Sequence, residues 1–237
     1  MLLNMSSKGN GSLTWTVQER TSRARILDAA IQRFAADGLD ASLRSVAGDA
    51  GVSAGLIIHH FDSRDGLLTA CDQEVLAITR TAKAALISQG AGEMLTQMAQ
   101  AEQYGPAVGY VLRRLQAGGT LATKLVEDFI ADAEDYLADG ERAGIIRPSR
   151  DPGARARLLT EMSLGALLLQ MPGRGDPLDV TDLPRLMAEH TERIVLPFLE
   201  LTTEPLLTDS TMLEALIAQR AESADTAADP AASQEER

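Results

Sequence analysis

A chain of 237 residues, 45% hydrophobic and 24% charged, is long enough to bury one large or two small cores in an ordinary globular protein. A single cysteine, Cys71, excludes an internal disulfide and suits a reducing cytoplasm, no apolar run is long enough to cross a membrane, and the start MLLNMSSKGNGSLTWTVQER lacks the order of a secretory leader. The net charge of −12 is unevenly placed, with 7 Lys/Arg against 7 Asp/Glu in residues 1–65 and 15 against 27 in residues 66–237, so any contact with nucleic acid belongs to the first part.

Residues 1–19, rich in Ser, Gly and Asn, read as a flexible arm. From Arg20 to Asp37, Ile26, Leu27, Ala30, Ile31, Phe34 and Ala35 recur at the spacing of one helical face. Thr21 or Ser22 would cap this helix, Gly38 would end it, and Arg20, Arg23 and Arg25 lie in its first turns. Next, SLRSVAGDAGVSAGLIIHHF reads as two short helices around a glycine turn. Ser42 caps the first, which carries Val46, Ala47 and Ala50; Gly51 supplies the positive φ that stops it; Ser53 caps the second, AGLIIHHF. Ala47 is small where the helices cross, and Val52 and Ile57 clasp the pair from behind. This is the sequence form of a helix-turn-helix. After Phe61, DSRDGLLTACDQEVLAITRTAKAALI opens on polar caps and Asp65 and runs as a helix of about six turns.

The stretch TSRARILDAAIQRFAADGLDASLRSVAGDAGVSAGLIIHHFDSRDGLL resembles the N-terminal domain of the TetR/AcrR-type transcriptional regulators. Three pieces carry the likeness over about 50 residues: the R-I-L-D-A-A…F…G-L first helix, the S-V-A…A-G-V-S turn, and the G-L-I-I-H-H-F-x-S-R-D-G-L exit. The resemblance implies an all-α fold with a three-helix DNA-binding head and a larger helical body that dimerises and binds an effector. On this chain the head is residues 20–65 and the body 66–220.

The rest of the chain is helical by pattern as well. Leu95 to Leu115 reads as two helices broken at Gly105-Pro106. Thr120 to Gly140 carries an apolar stripe opposite an acidic face. Ala154 to Met171 and Leu183 to Phe198 carry further stripes, Pro197 implies an end or kink, and Met212 to Ile217 forms a last short helix. Residues 221–237 are low in apolar bulk and read as a disordered tail.

In a helix-turn-helix the second helix lies in the major groove. By motif position Ala54, Gly55, Leu56 and Ile57 stand nearest base edges, and Ser42, Arg44, Ser53, His59, His60 and Arg64 are the candidate phosphate or base contacts. The helix has no Lys or Arg, and where the family often has a Lys it has Ala54, so readout leans on apolar contacts, the histidines and DNA shape. Candidate effector-pocket residues are Met98, Tyr110, Leu121, Leu125, Phe129 and Met162, and eight aromatics in the whole chain favour an aliphatic ligand over a flat dye. The stripes and the family's habit nominate Leu158, Met162, Ala166, Leu169, Leu183, Met187, His190, Ile194 and Phe198 for a four-helix homodimer interface.

Other chemistry finds little support. His59 and His60 point about 100° apart and do not chelate one ion, and Cys71 beside Asp72 and Glu74 is a packed thiol rather than a redox sensor. Glu127, Asp128, Asp132, Glu134, Asp135 and Asp139 have the spacing of a solvated helix face, so no catalytic site, cofactor or metal is expected. The expectation is a cytoplasmic, homodimeric, ligand-responsive repressor on a palindromic operator. The rival readings are a helical scaffold whose head binds protein, and a helical enzyme.

Overall fold

The computed structural model describes residues 17–90, 92, 95–96, 101–169, 182–204 and 206–228, and among them every regular element is helical. The chain divides into two units, Met1–Thr191 and Glu192–Arg237. The first holds α1 (Val17–Asp37), α2 (Leu43–Ala50), α3 (Ala54–Phe61), α4 (Arg64–Gln89), a 3-10 turn (Ala101–Tyr104), α5 (Gly105–Ala117), α6 (Gly119–Arg142) and α7 (Pro152–Leu168). Helix α8 (Leu183–Thr203) begins in the first unit and ends in the second, which also holds α9 (Thr211–Ala228).

One apolar cluster runs from the head into the body. Ile26, Ala30 and Phe34 of α1 meet Val46 and Ala47 of α2, Ile57 and Phe61 of α3, Leu67, Cys71 and Val75 of α4, and Tyr110 and Val111 of α5. Ile26, Phe34, Ile57 and Leu67 are each fully buried, and such burial is worth about 1.5–3 kcal/mol per side chain. Helices α6 and α7 pair over a second cluster of Ile130, Ala133, Leu137 and Ala156, stapled at the surface by a two-pronged ion pair from Arg157 to Glu127 at 3.0 and 2.7 Å. Leu112 and Leu183 form a third, which brings the start of α8 against α5.

Several boundaries differ from those read in the sequence. Helix α1 starts at Val17, so Thr21 and Ser22 lie inside it instead of capping it. The break read at Gly105-Pro106 is where the 3-10 turn Ala101–Tyr104 ends and α5 begins, because a proline in a first turn lacks only an N–H that would have had no partner there. Helix α8 continues through Pro197 to Thr203. Helix α9 extends to Ala228, well past Ile217, since the alanine-rich AESADTAA has high intrinsic helix propensity despite its lack of apolar bulk. Met98, Met171 and residues 1–16 and 229–237 fall outside the described residues.

Candidate nucleic-acid interface

The two short helices are held by side-chain caps and one left-handed residue. Ser42 Oγ accepts from the Ser45 N–H at 3.1 Å and Ser53 Oγ from the Leu56 N–H at 3.2 Å, each satisfying a first-turn donor. Gly51 (φ 64°, ψ 40°) closes α2, and the Val52 N–H reaches back to the Ala47 carbonyl at 2.9 Å. The result fixes the rotation of α3. Ile57 and Phe61 enter the core; Gly55, Ile58 and His59 face outward, and Ala54, Leu56 and His60 are half-buried on the flanks. Ile57 is therefore corrected from a base contact to a core residue. Its neighbour Ile58 is 44% exposed and stands outward in its place.

Most of the head's described arginines are engaged within the fold. Arg33 grips Asp49 with two hydrogen bonds of 2.7 Å and Asp37 with one of 2.9 Å, which raises its own proton affinity and holds the Asp49 carboxyl below its ordinary range. Arg23 lies 5.2 Å from the Phe61 ring centroid. Arg64, nominated as a phosphate contact, instead donates to the carbonyls of Ala41 (2.9 Å) and Leu39 and covers the Phe34 ring at 5.5 Å. Its reach is used to fasten the loop before α2. Arg25 and Arg44 are the exposed arginines, among the described head side chains, that make no hydrogen bond or ion pair. Ser42, Arg44, Ser53 and His59 are exposed.

A tight corner leads from α3 into α4. Asp62 adopts φ 63° and ψ −41°, and the Ser63 N–H reaches the Phe61 carbonyl at 2.7 Å, a three-residue turn that L-residues adopt at a cost in strain. Gly66 makes the corner sterically feasible: a Cβ there would fall 1.9 Å from the Phe61 carbonyl oxygen. Behind the corner sits a buried polar joint that the sequence reading did not pick out. Arg114 on α5 donates from Nε and Nη2 to the two oxygens of Asp72 on α4, at 2.9 and 2.5 Å. The Tyr110 hydroxyl lies 2.7 Å from Asp72 Oδ1 and 3.0 Å from the Leu68 carbonyl. The adjacent Arg113 donates to the carbonyls of Ala35 and Ala36 at the end of α1, both at 3.2 Å. Burial pushes the Tyr110 hydroxyl and the Cys71 thiol up from their ordinary values, with Asp72 adding to the rise. The only signal for this joint in the sequence is an arginine pair inside the apolar run YVLRRL, which demands buried partners.

The described candidate pocket residues differ in burial. Tyr110 is fully buried with its hydroxyl engaged, Leu125 is buried, and Phe129 packs against the head-to-body cluster. Leu121 and Met162 are exposed, so these two side chains stand away from that core although Leu125 and Phe129 on the Leu121 face turn inward. Of the interface candidates, Leu158, Met162, Leu169 and Phe198 are exposed, while Ala166, Met187, His190 and Ile194 are half-buried. Leu183 is corrected to a core residue, since it is used up against Leu112. Among the described residues no group of His, Cys, Asp and Glu could hold a metal ion, and no helix is long and apolar enough to cross a membrane.

Helical in every regular element among the described residues, with a capped helix-turn-helix packed against its first helix, the chain has the build of a DNA-binding transcriptional regulator. Residues 26–71 match the bacterial regulatory proteins of the tetR family, and residues 102–208 match the tetracyclin repressor-like C-terminal domain. Over 200 residues the chain is 44% identical to the HTH-type transcriptional regulatory protein RaaS of Mycobacterium tuberculosis, covering 84% of this chain and 93% of that protein. The chain belongs to the TetR family of transcriptional regulators, not to a family of enzymes. Two solved structures share the fold. A TetR-family regulator from Pectobacterium atrosepticum has a TM-score of 0.51 at 19% identity, over 79% of this chain and 97% of that one. The fatty acid degradation regulator FadR from Bacillus halodurans has a TM-score of 0.52 at 19% identity, over 78% and 99%.

Proposed function

We propose that this regulator is a homodimeric repressor that holds a palindromic operator and is released by a small apolar effector bound in the body. The observation that carries the reading is the fixed rotation of α3, with Ile57 and Phe61 locked inward and Gly55, Ile58 and His59 presented outward. Two such heads dock in successive major grooves, on half-sites about 34–36 Å apart or a multiple of that. Ala54, Leu56 and His60 flank the reading face, and Ser42, Arg44 and Ser53 meet the backbone beside it. Arg64 serves by positioning the loop that precedes α2.

Dimerisation supplies the second head. The exposed Leu158 and Met162 of α7 and Leu169 just past its end, and the half-buried Ile194 and exposed Phe198 of α8, are the surfaces offered to a second copy. The effector lies among the inward side chains of α5 and α6, near Leu125 and Phe129, and acts by binding the operator-free arrangement more tightly than the bound one.

A gel shift on the DNA upstream of its own reading frame tests this, repeated with a panel of apolar metabolites. A shifted band that one compound releases supports the repressor reading and names the effector class. No band at low salt from a confirmed dimer would refute it and favour a head that binds protein. Leu169→Glu and Ile194→Glu should yield monomers without operator affinity; dimers that still bind would disprove the interface.

A further inference from the structure

The outward face of α3 carries a large apolar side chain left partly to solvent. Ile57 and Phe61 do the helix's packing, whereas Ile58 is 44% exposed on a helix of eight residues. Nearly half of that isoleucine's surface is left to solvent, and the exposed part contributes nothing to burial within the chain. Gly55, one turn earlier on the same side, is equally unexplained by folding. A Cβ at Gly55 would meet nothing nearer than Ser53 Oγ at 3.9 Å, and its backbone is not left-handed. Glycine in a helix interior costs about 1 kcal/mol against alanine, and nothing within the fold requires it in this first turn. A bare backbone allows the helix to approach another surface closely.

The chemistry available on that face is narrow. Residues 54–61, AGLIIHHF, contain no Lys, Arg, Asn or Gln, so the helix cannot make the paired hydrogen bonds that read guanine O6/N7 or adenine N6/N7. Apart from single hydrogen bonds that His59 can make, the feature on the major-groove floor that suits this apolar face is the C5-methyl group of thymine, which is read by apolar contact. We propose that Ile58 is a specificity-determining residue that packs on a thymine methyl in each operator half-site, with Gly55 letting α3 sit close enough for it to reach. This rests on the placement of α3 in the major groove given above.

The test uses the full-length protein and its footprinted operator, with each thymine of a half-site replaced in turn by deoxyuridine, which pairs identically but lacks the methyl. Binding is read by fluorescence anisotropy. Losing one buried methyl contact should weaken wild-type binding about fourfold at one position per half-site. Ile58→Ala should bind the thymine and deoxyuridine operators equally, and Ile58→Val should keep part of the difference. Exposure of the site and the better helix propensity of alanine keep the variant folded, which circular dichroism checks. Wild-type binding indifferent to every demethylated position, or Ile58→Ala retaining the full discrimination, overturns the assignment while leaving the operator reading intact. Absence of wild-type binding to any thymine-containing operator overturns both.

Discussion

Arg114→Met would leave the Asp72 carboxylate buried between α4 and α5 with its principal partner gone. Arg114 is 3% exposed and Asp72 8%, and their two hydrogen bonds of 2.9 and 2.5 Å are charge-assisted. Removing one member of such a pair costs about 3–5 kcal/mol, because the survivor keeps its desolvation penalty without its compensation. At about 2–4 °C per kcal/mol for a chain of this size, the melting temperature should fall by roughly 6–20 °C. Tyr110→Phe removes one hydrogen bond to a carboxylate still held by Arg114, and should cost only about 1–2 kcal/mol. The decisive variant is the double substitution Asp72→Leu with Arg114→Met. It removes both charges at similar volume, and the Tyr110 hydroxyl can still donate to the Leu68 carbonyl. Most of the lost stability should return, giving a coupling energy of about 3 kcal/mol in a cycle read by thermal and urea unfolding at neutral pH. A single-variant loss under about 1 kcal/mol, or a double variant as unstable as the sum of its parts, would refute the idea that a buried charge holds this joint.

The corner and the surface pair make separate predictions. Gly66→Ala places a Cβ on the Phe61 carbonyl oxygen, so α3 or α4 must shift; stability should drop by about 1–3 kcal/mol and operator affinity should fall at temperatures where the variant is folded, and a variant matching wild type in both would show that the corner is slack. Arg33 holds the Asp49 carboxyl below the ordinary value of about 3.9, so the folded state releases that proton more readily than the unfolded state. The stabilising contribution is present above about pH 4 and lost as pH falls through the folded value. Between about pH 5 and pH 3 the melting temperature should therefore decline less steeply in Asp49→Asn than in wild type; equal slopes would mean that the pair is idle.

The parts of the fold that local chemistry dictates were legible in the sequence. Ser42, Gly51 and Ser53 act within three or four residues of themselves, and each sits in the structure with the cap or positive φ that its type implies. Ile26, Leu27, Ala30, Ile31, Phe34 and Ala35 declare their inward face by periodicity alone, and all six are buried. What escaped depends on distant partners. Nothing near Asp72 announces that Arg114, 42 residues away, will grip it, and nothing near Arg64 announces carbonyls 23 and 25 residues earlier. Motif position also blurs a helix rotation by one residue: it sets Ile57 nearest the base edges as well as in the clasp behind the pair, and the structure keeps only the clasp, with Ile58 outward. The α7 stripe shows the opposite limit: the same spacing describes a core face and an exposed one, so Met162 could be offered both to a pocket and to a partner copy.

Because so many of the head's arginines are spent internally, electrostatics should contribute modestly to operator binding. Arg33 is neutralised by Asp49 and Asp37, Arg64 is bound to carbonyls, and Arg23 covers Phe61, which leaves Arg25 and Arg44 among the described head arginines. Two per head, or four per dimer, release few counterions, and the slope of log K against log salt should be about −4. Arg44→Ala removes one contact per head and should flatten that slope by about 2 while weakening all sequences alike. Anisotropy titrations over a range of chloride concentrations measure both numbers. A slope as steep as about −8 would mean that cations outside this set touch phosphate, and an unchanged slope in Arg44→Ala would place Arg44 away from the DNA. A shallow slope has a consequence for recognition. With little sequence-independent attraction to rely on and an acidic body repelling the duplex, discrimination must come from close apolar fit along α3, where each methyl contact counts for a larger share of the total.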